Sequence, residues 1–435
     1  MKAKQSLLIA AFRKIAAALL VQTFLGLTSF GAELPAESIT QKLRWPHGLL
    51  QIAISTSVTR PNVNIKFGSD VTGSIARSLA TWQKVVDIEL RQTSSEKQSV
   101  SPSGKRGDGV SLITIAQTPE NVLLFPGGTD DAAATTRVFY DKRGLVTEAD
   151  IVLNPFQQFS TDGTFGTFDL ESTLTHEIGH VLGLEHSDVL GATMHERYGR
   201  NGALGQDNLS ARSLSMADIA EVRRLYGPLT EEIECCGKIN GKLNTVDAKA
   251  RNWQVWAEEL STGRVVAAAG TGSDGSFLFE GLPLESVAIY AQDRSSANVV
   301  STSEPIFAVS KRMEGAVSNR KVQVSKADFQ LDFLGVNGQL SDIALNVRAG
   351  TTYTVYLGGK KLDPSRISVG FTSPFLKVVP NTVQSVDYGS DVAVISFEMR
   401  VDDEAPTGEY TVFAAGETGA KRYIVGGIAV LQAAK

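Results

Sequence analysis

"LTHEIGHVLGLEHSDVLGATMHE", Leu174 to Glu196, holds four of the five histidines in a chain of 435 residues. Packing preferences do not gather His176, His180, His186 and His195 so closely, so the cluster points to chemistry. On an α-helix, residues four apart stand one above the other, and His176 and His180 would project from one face. Asp169 suits the N-cap, Glu171 favours the positive end of the helix dipole, and Leu170, Leu174, Ile178 and Val181 or Leu182 form an apolar stripe, which predicts a helix over 170–182. Gly183 follows where a helix end needs a left-handed residue, and the turn there can swing His186 back toward the pair. Three neutral imidazoles with one coordination position left open make a catalytic zinc site rather than a closed structural one. Glu177, next to the first histidine, can reach a water at that open position without being a ligand. Zinc lowers the pKa of such a water toward about 7 and polarises a carbonyl, and Glu177 would take the proton and pass it to a leaving amine.

The rest of the chain fits an exported, multidomain protein. Its length exceeds one ordinary core, and 42% hydrophobic with 20% charged residues is the composition of a protein folded in water. Lys2, Lys4, Arg13 and Lys14 precede the apolar run "IAAALLVQTFLGLTSFGA". That order predicts a secretory signal peptide over 1–31, with Ser29 and Gly31 at the small-residue positions; an uncleaved anchor is the alternative. No later run is long enough to span a membrane. The destination is then extracellular, with periplasm or cell surface as variants. Removing 1–31 takes away four cations and no acids, leaving 38 Lys+Arg against 47 Asp+Glu, a formal charge of −9. That sign disfavours a nucleic-acid partner. The only cysteines are the neighbours Cys235 and Cys236, open to a vicinal bridge, free thiols or an intermolecular link.

Along the chain, "LRWPHGLLQIAIST" reads as a leading segment and a strand. "TGSIARSLATWQKVVDIELRQ" reads as a helix with Ile75, Leu79, Trp82 and Val86 in register. Thr93 to Gly109 reads as a surface loop, followed by strands in "GVSLITIAQ", "TTRVFYDKRG" and "EADIVLNP". "LSMADIAEVRRLYG" predicts a second helix, capped by Ser215 and ended by Gly227. From Cys235 onward, short alternating strands separated by Gly, Asp, Ser and Pro predict two all-β sandwich domains, over 235–300 and 330–432.

The full pattern His-Glu-x-x-His-x-x-Gly-x-x-His, followed by Met194, resembles the metzincin metallopeptidases. "HEIGHVLGLEHSD" with "ATM" resembles their matrixin branch. The resemblance covers roughly 42–227 and is most specific over 168–227. It implies an α+β catalytic domain, with a twisted mixed sheet, a zinc helix and a closing C-terminal helix. It also implies one catalytic Zn²⁺ on His176, His180 and His186, Glu177 as general acid/base, Gly183 and Met194 as structural support, and a protein or peptide substrate.

The chain departs from the family in several places. Val152 stands where many relatives place a ligand of a second zinc, which implies that this zinc is absent. Ca²⁺ on groups such as Asp130, Asp131 or Asp150 remains open, without an assigned ligand set. No cysteine precedes the catalytic segment, so latency through an inhibitory cysteine is not expected. His195 reads as a supporting or surface residue, His47 as surface, and Tyr198 and the Cys235/Cys236 pair as minor candidates near the metal.

An extended substrate would lie against the strand within Thr135–Tyr140, and selectivity would rest on the loop "MHERYGRNGALGQDNLSARS". The module over 235–300 looks like transthyretin-like or carboxypeptidase-regulatory-like sandwiches, and that over 330–432 like bacterial immunoglobulin-like domains; either could hold the peptidase at a surface or matrix ligand. The expected activity is therefore that of a secreted zinc endopeptidase. The alternatives are a binding or adhesion protein with a silent metal domain, and a processing protease with one dedicated partner.

Overall fold

The computed structural model describes residues 42–46, 48–102, 106–126, 132–229, 235–245, 252–294, 298–300, 315–322, 324–389 and 391–431. The expected signal segment, His47, Asp130 and Asp131 lie outside them. No helix among the described residues is long and apolar enough to cross a membrane.

The N-terminal half is built on a five-stranded sheet. Strands β1 (Gly48–Ser55), β2 (Ile88–Ser95), β3 (Ser111–Thr114), β4 (Ala134–Tyr140) and β5 (Val146–Leu153) lie in the order β2-β1-β3-β5-β4. All neighbours are parallel except β4, which runs antiparallel to β5 at the edge. Helices α1 (Val71–Gln83) and α2 (Leu170–Val181) pack together, and α3 (Met216–Tyr226) closes this half. Short strands β6 (Phe159–Ser160) and β7 (Phe168–Asp169) pair just before α2. The helices meet through small polar groups as well as apolar ones: the Ser78 hydroxyl donates to the Glu171 carbonyl at 3.0 Å, and the Trp82 indole donates to the Thr175 carbonyl at 2.7 Å.

The predicted helix over 72–92 is corrected. It stops at Gln83, and Ile88–Ser95 is β2, where Ile88 and Leu90 are buried while Glu89 and Arg91 face water. Period two replaces the helical period at that point. The segment expected as a surface loop is likewise tied down. Val100 and Ser101 are buried, the Ser101 carbonyl accepts from Arg137, and the Asp150 carboxylate accepts the Ser101 and Leu112 N–H groups at 2.9 and 3.0 Å. Asp150, named above among candidate calcium ligands, thus spends its oxygens on backbone donors.

The C-terminal region is β-rich. Strands β8 (Cys235–Thr245), β9 (Trp253–Glu259), β10 (Val265–Gly270), β11 (Ser276–Pro283), β12 (Val287–Asp293), β13 (Asn298–Val300), β14 (Gly315–Val322) and β15 (Val324–Lys326) form sheets β10-β9-β12, β11-β8-β14 and β13-β15. β14 pairs in parallel with β8, so chain beyond residue 300 adds a strand to this part. Cys236 is disulfide-bonded, which removes the reading of two free thiols.

Strands β16 (Gln330–Val336), β17 (Gln339–Ser341), β18 (Leu345–Arg348), β19 (Thr352–Lys360), β20 (Ile367–Phe371), β21 (Leu376–Val378), β22 (Gln384–Val386), β23 (Ala393–Val401), β24 (Gly408–Gly416) and β25 (Lys421–Leu431) follow. They form β17-β16-β19-β23-β21, with β22 also on β23, and β18-β25-β24-β20.

These parts share an apolar seam. Val189 and Ala217 of the metal-binding half meet Trp256 and Val265, and Tyr423 and Val425, in one buried cluster. Trp256 stacks on Tyr290 with centroids 5.4 Å apart, and its indole donates to the Glu258 carboxylate at 2.8 Å. Burial pushes the Glu258 carboxyl up to about 7. Between its ordinary value and that one, the unfolded chain gives up a proton that the fold retains. Stability therefore falls as pH rises through this window, by about 3 kcal/mol in all. Glu258→Gln keeps the acceptor for Trp256 and carries no charge. It should resist denaturant better than the parent at pH 8 and gain little at pH 5; equal gains at both pH values would refute a charge effect.

Candidate metal centre

Helix α2 begins as its sequence dictates, with the Asp169 carboxylate accepting the Ser172 N–H at 2.8 Å. Arg212 grips the same buried carboxylate through two donors at 2.9 and 2.6 Å. The helix ends with both bonds of a Schellman motif, Gly183 N–H to the His180 carbonyl at 2.9 Å and Leu184 N–H to the Gly179 carbonyl at 3.0 Å. Gly183 has φ +92°, and a Cβ there would lie 2.3 Å from the Leu43 carbonyl oxygen. The chain before β1 thus runs directly beneath the helix end. The Trp45 indole donates to the Val181 carbonyl at 2.5 Å, and the Tyr226 hydroxyl donates to the Leu182 carbonyl while accepting the Trp45 N–H at 3.0 Å. These bonds satisfy carbonyls that the last turn leaves open.

The turn brings His186 to the helix pair. His180 Nε2 lies 3.1 Å from His176 Nε2 and 3.1 Å from His186 Nε2. His176 is buried, His180 half-buried and His186 exposed, so the group opens outward on the His186 side. His176 Nδ1 contacts the Thr193 carbonyl at 2.7 Å and His180 Nδ1 the Leu184 carbonyl at 2.8 Å. A carbonyl only accepts, so both Nδ1 atoms carry the proton and both Nε2 atoms present bare lone pairs. Burial, then the neighbouring histidine, lowers the basicity of both rings, that of His180 to about 4. Neutral rings with converging lone pairs repel one another unless a cation sits between them, so this donor set fits a metal ion.

Glu177 is 3% exposed, and its Oε2 accepts from the Thr136 hydroxyl of β4 at 2.5 Å. Burial raises its carboxyl to about 7, with the Thr136 bond opposing. Met194 lies under the helix. A Cβ on Gly179 would come 2.2 Å from the Met194 sulfur and 2.9 Å from the Trp82 ring, so only glycine lets both pack there. The turn carrying Met194 is held from α3: Asp218 accepts the Thr193 and Met194 N–H groups at 2.9 and 3.2 Å and closes a capping box with Ser215. His195 Nδ1 contacts the Ser187 carbonyl at 3.0 Å, outside the trio. The Tyr198 ring sits 5.4 Å from that of His176.

Sequence reading had not singled out Thr136, Gly179, Arg212 or Asp218. Gly179 alone left a signal, a glycine in mid-helix that costs about 1 kcal/mol relative to alanine and so asks for a packing reason.

Three histidines across a helix and its exit turn, open on one side and floored by a methionine, define a metal domain of metzincin type. Residues 127–227 match the family model described as Matrixin. Relatives include Metalloendoproteinase 1 of Glycine max, 29% identical over 206 residues, with 46% of this chain and 58% of the relative covered. Metalloendoproteinase 1-MMP of Arabidopsis thaliana is 28% identical over 197 residues, covering 43% and 45%. Interstitial collagenase of Oryctolagus cuniculus is 25% identical over 160 residues, covering 37% and 29%. The chain carries a matrixin-like metzincin domain, and zinc is the metal of its centre. It spans about half the length of the first two relatives.

Proposed function

We propose that the protein is a secreted zinc-dependent endopeptidase, with His176, His180 and His186 as zinc ligands and Glu177 as general acid/base. The observation that carries this reading is the convergence of the His176, His180 and His186 nitrogens, with the buried Glu177 next to the first of them in sequence and tied to Thr136 on the edge strand. A carboxyl held next to the first ligand can both accept and return a proton. When bound, zinc supplies Lewis acidity that activates water and polarises a carbonyl. Glu177 then takes the proton from the attacking water and hands it to the departing amine. The edge strand β4 offers main-chain groups to an extended peptide, which aligns it with little demand on sequence. Gly183 and Met194 support the site.

The proposed organisation is a signal peptide over 1–31, a metallopeptidase domain over 42–227 and two β-sandwich modules. The first is transthyretin-like or carboxypeptidase-regulatory-like and reaches past residue 300 through β14. The second, over 330–432, is immunoglobulin-like. The modules hold the peptidase near a surface or matrix ligand.

The test is cleavage of a quenched fluorescent peptide library by the exported chain. Activity should vanish with a zinc chelator and return when zinc is restored. A chain that holds one zinc and cuts nothing in the library would end the endopeptidase reading.

A further inference from the structure

The loop that follows Met194 belongs to two domains. Its first half rests on the metal-binding half: Tyr198 packs beside His176 and 6.0 Å from Phe168, Arg200 lies 4.3 Å over the Phe168 ring, and Asn201 donates to the Thr167 carbonyl at 2.8 Å. Its second half is built into the C-terminal β-rich region. Leu204 is buried in that region's core with Leu334, Val336 and Leu345, and holds φ +57°, a conformation that a leucine keeps only when its surroundings enforce it. The Asn337 side chain donates to the Leu204 carbonyl at 2.8 Å. The Gln206 amide makes a reciprocal pair with the Asn346 backbone, donating to its carbonyl at 2.8 Å and accepting its N–H at 3.1 Å. Arg197 is ion-paired with Asp342. A Cβ on Gly199 would meet Ile343 at 2.6 Å.

The loop therefore starts at the reacting centre and ends in the core of another domain, and the second anchor limits where the first half can move.

We propose that the C-terminal region over 327–431 is a positioning element for substrate selection: Asn337, Asp342 and the Asn346 backbone fix the loop over 197–208 against the metal centre, and so set the shape of the recess that receives a side chain of an extended peptide. This rests on the peptidase reading. The region is then part of the selectivity machinery and more than a tether.

The test uses the full chain carrying Gln206→Ala with Asn337→Gly, which removes three bonds across the seam while glycine keeps the left-handed backbone at 337 (φ +55°). Asp342→Ala, at the exposed ion pair, is the milder second variant. Hydrogen exchange of amides 197–208 is read against β16 and β19 in the same sample, alongside zinc content and kcat and KM for peptides varied after the scissile bond. Loop exchange should rise about tenfold or more, since three hydrogen bonds that hold the loop are lost. β16, β19 and zinc content should stay as in the parent, KM should rise several-fold, as a rough figure, and the preference between peptides should flatten, with kcat for the best peptide little changed. Unchanged loop exchange overturns the proposal, and so does a loosened loop with unchanged preference. If the parent holds zinc and cuts no peptide, the peptidase reading falls and selectivity with it, while loop exchange still decides whether the anchor exists.

Discussion

Glu177→Ala should lower kcat for peptide hydrolysis by about 10²–10⁴-fold, the usual worth of a positioned acid/base, with one zinc per chain retained. Zinc stays because Glu177 lies outside the histidine trio. The fold stays because the Thr136 hydroxyl also faces the carbonyl of residue 177 at 3.3 Å and keeps a partner. Glu177→Gln separates proton transfer from shape. It preserves an acceptor for Thr136 and cannot cycle a proton, so it should be as inactive as the alanine variant. Glutamine activity within about tenfold of the parent would remove Glu177 from the proton-transfer role that such magnitudes reflect.

Asp218→Ala is the largest stability loss expected. The carboxylate is 1% exposed and accepts from the Thr193, Met194 and Ser215 N–H groups and from the Ser215 hydroxyl. Each buried donor left without a partner costs about 1–3 kcal/mol, so the variant should lose about 3–5 kcal/mol in denaturant unfolding. A second effect reaches the metal. The Thr193 carbonyl orients His176, and loosening such a support costs about 10–100-fold in metal affinity. Asp218→Asn keeps an acceptor and should lose less on both counts. Stability within about 1 kcal/mol of the parent for Asp218→Ala would show that those donors find water instead.

The metal-binding helix was legible because its information is local. Cap, stripe, histidine spacing and terminating glycine lie within fifteen residues of Asp169, and the structure has α2 over Leu170–Val181 with Asp169 as cap and Gly183 left-handed. The N-cap of α3 at Ser215 was legible for the same reason. β2 was misread because Val86 lies four residues after Trp82 and prolongs the helical pattern past the true end; the alternation from Ile88 to Arg91 was too short to compete. Thr136, Asp218 and Arg212 act across sequence separations of 41, 25 and 43 residues, and nothing local marks a threonine or an aspartate as the partner of a distant helix. The anchoring of the 197–208 loop was invisible for a related reason. A polar, glycine-rich segment looks solvent-exposed until its one leucine is found in the core of the C-terminal β-rich region.

The contacts of Leu43 and Trp45 set a limit on N-terminal trimming. Proteolytic trimming that left Leu43–Trp45 in place would keep the indole cap on the Val181 carbonyl of α2 and the Trp45 N–H on the Tyr226 hydroxyl, whereas a cut a few residues further on would strip the Val181 carbonyl of its indole donor and leave the Tyr226 hydroxyl one neighbour short. Loss of function by clipping would then arise from fraying of the helix end that delivers His180, with every ligand and Glu177 still chemically intact. An N-terminal sequencing ladder of the purified protein, matched to zinc content, would locate that edge within Lys42–Pro46.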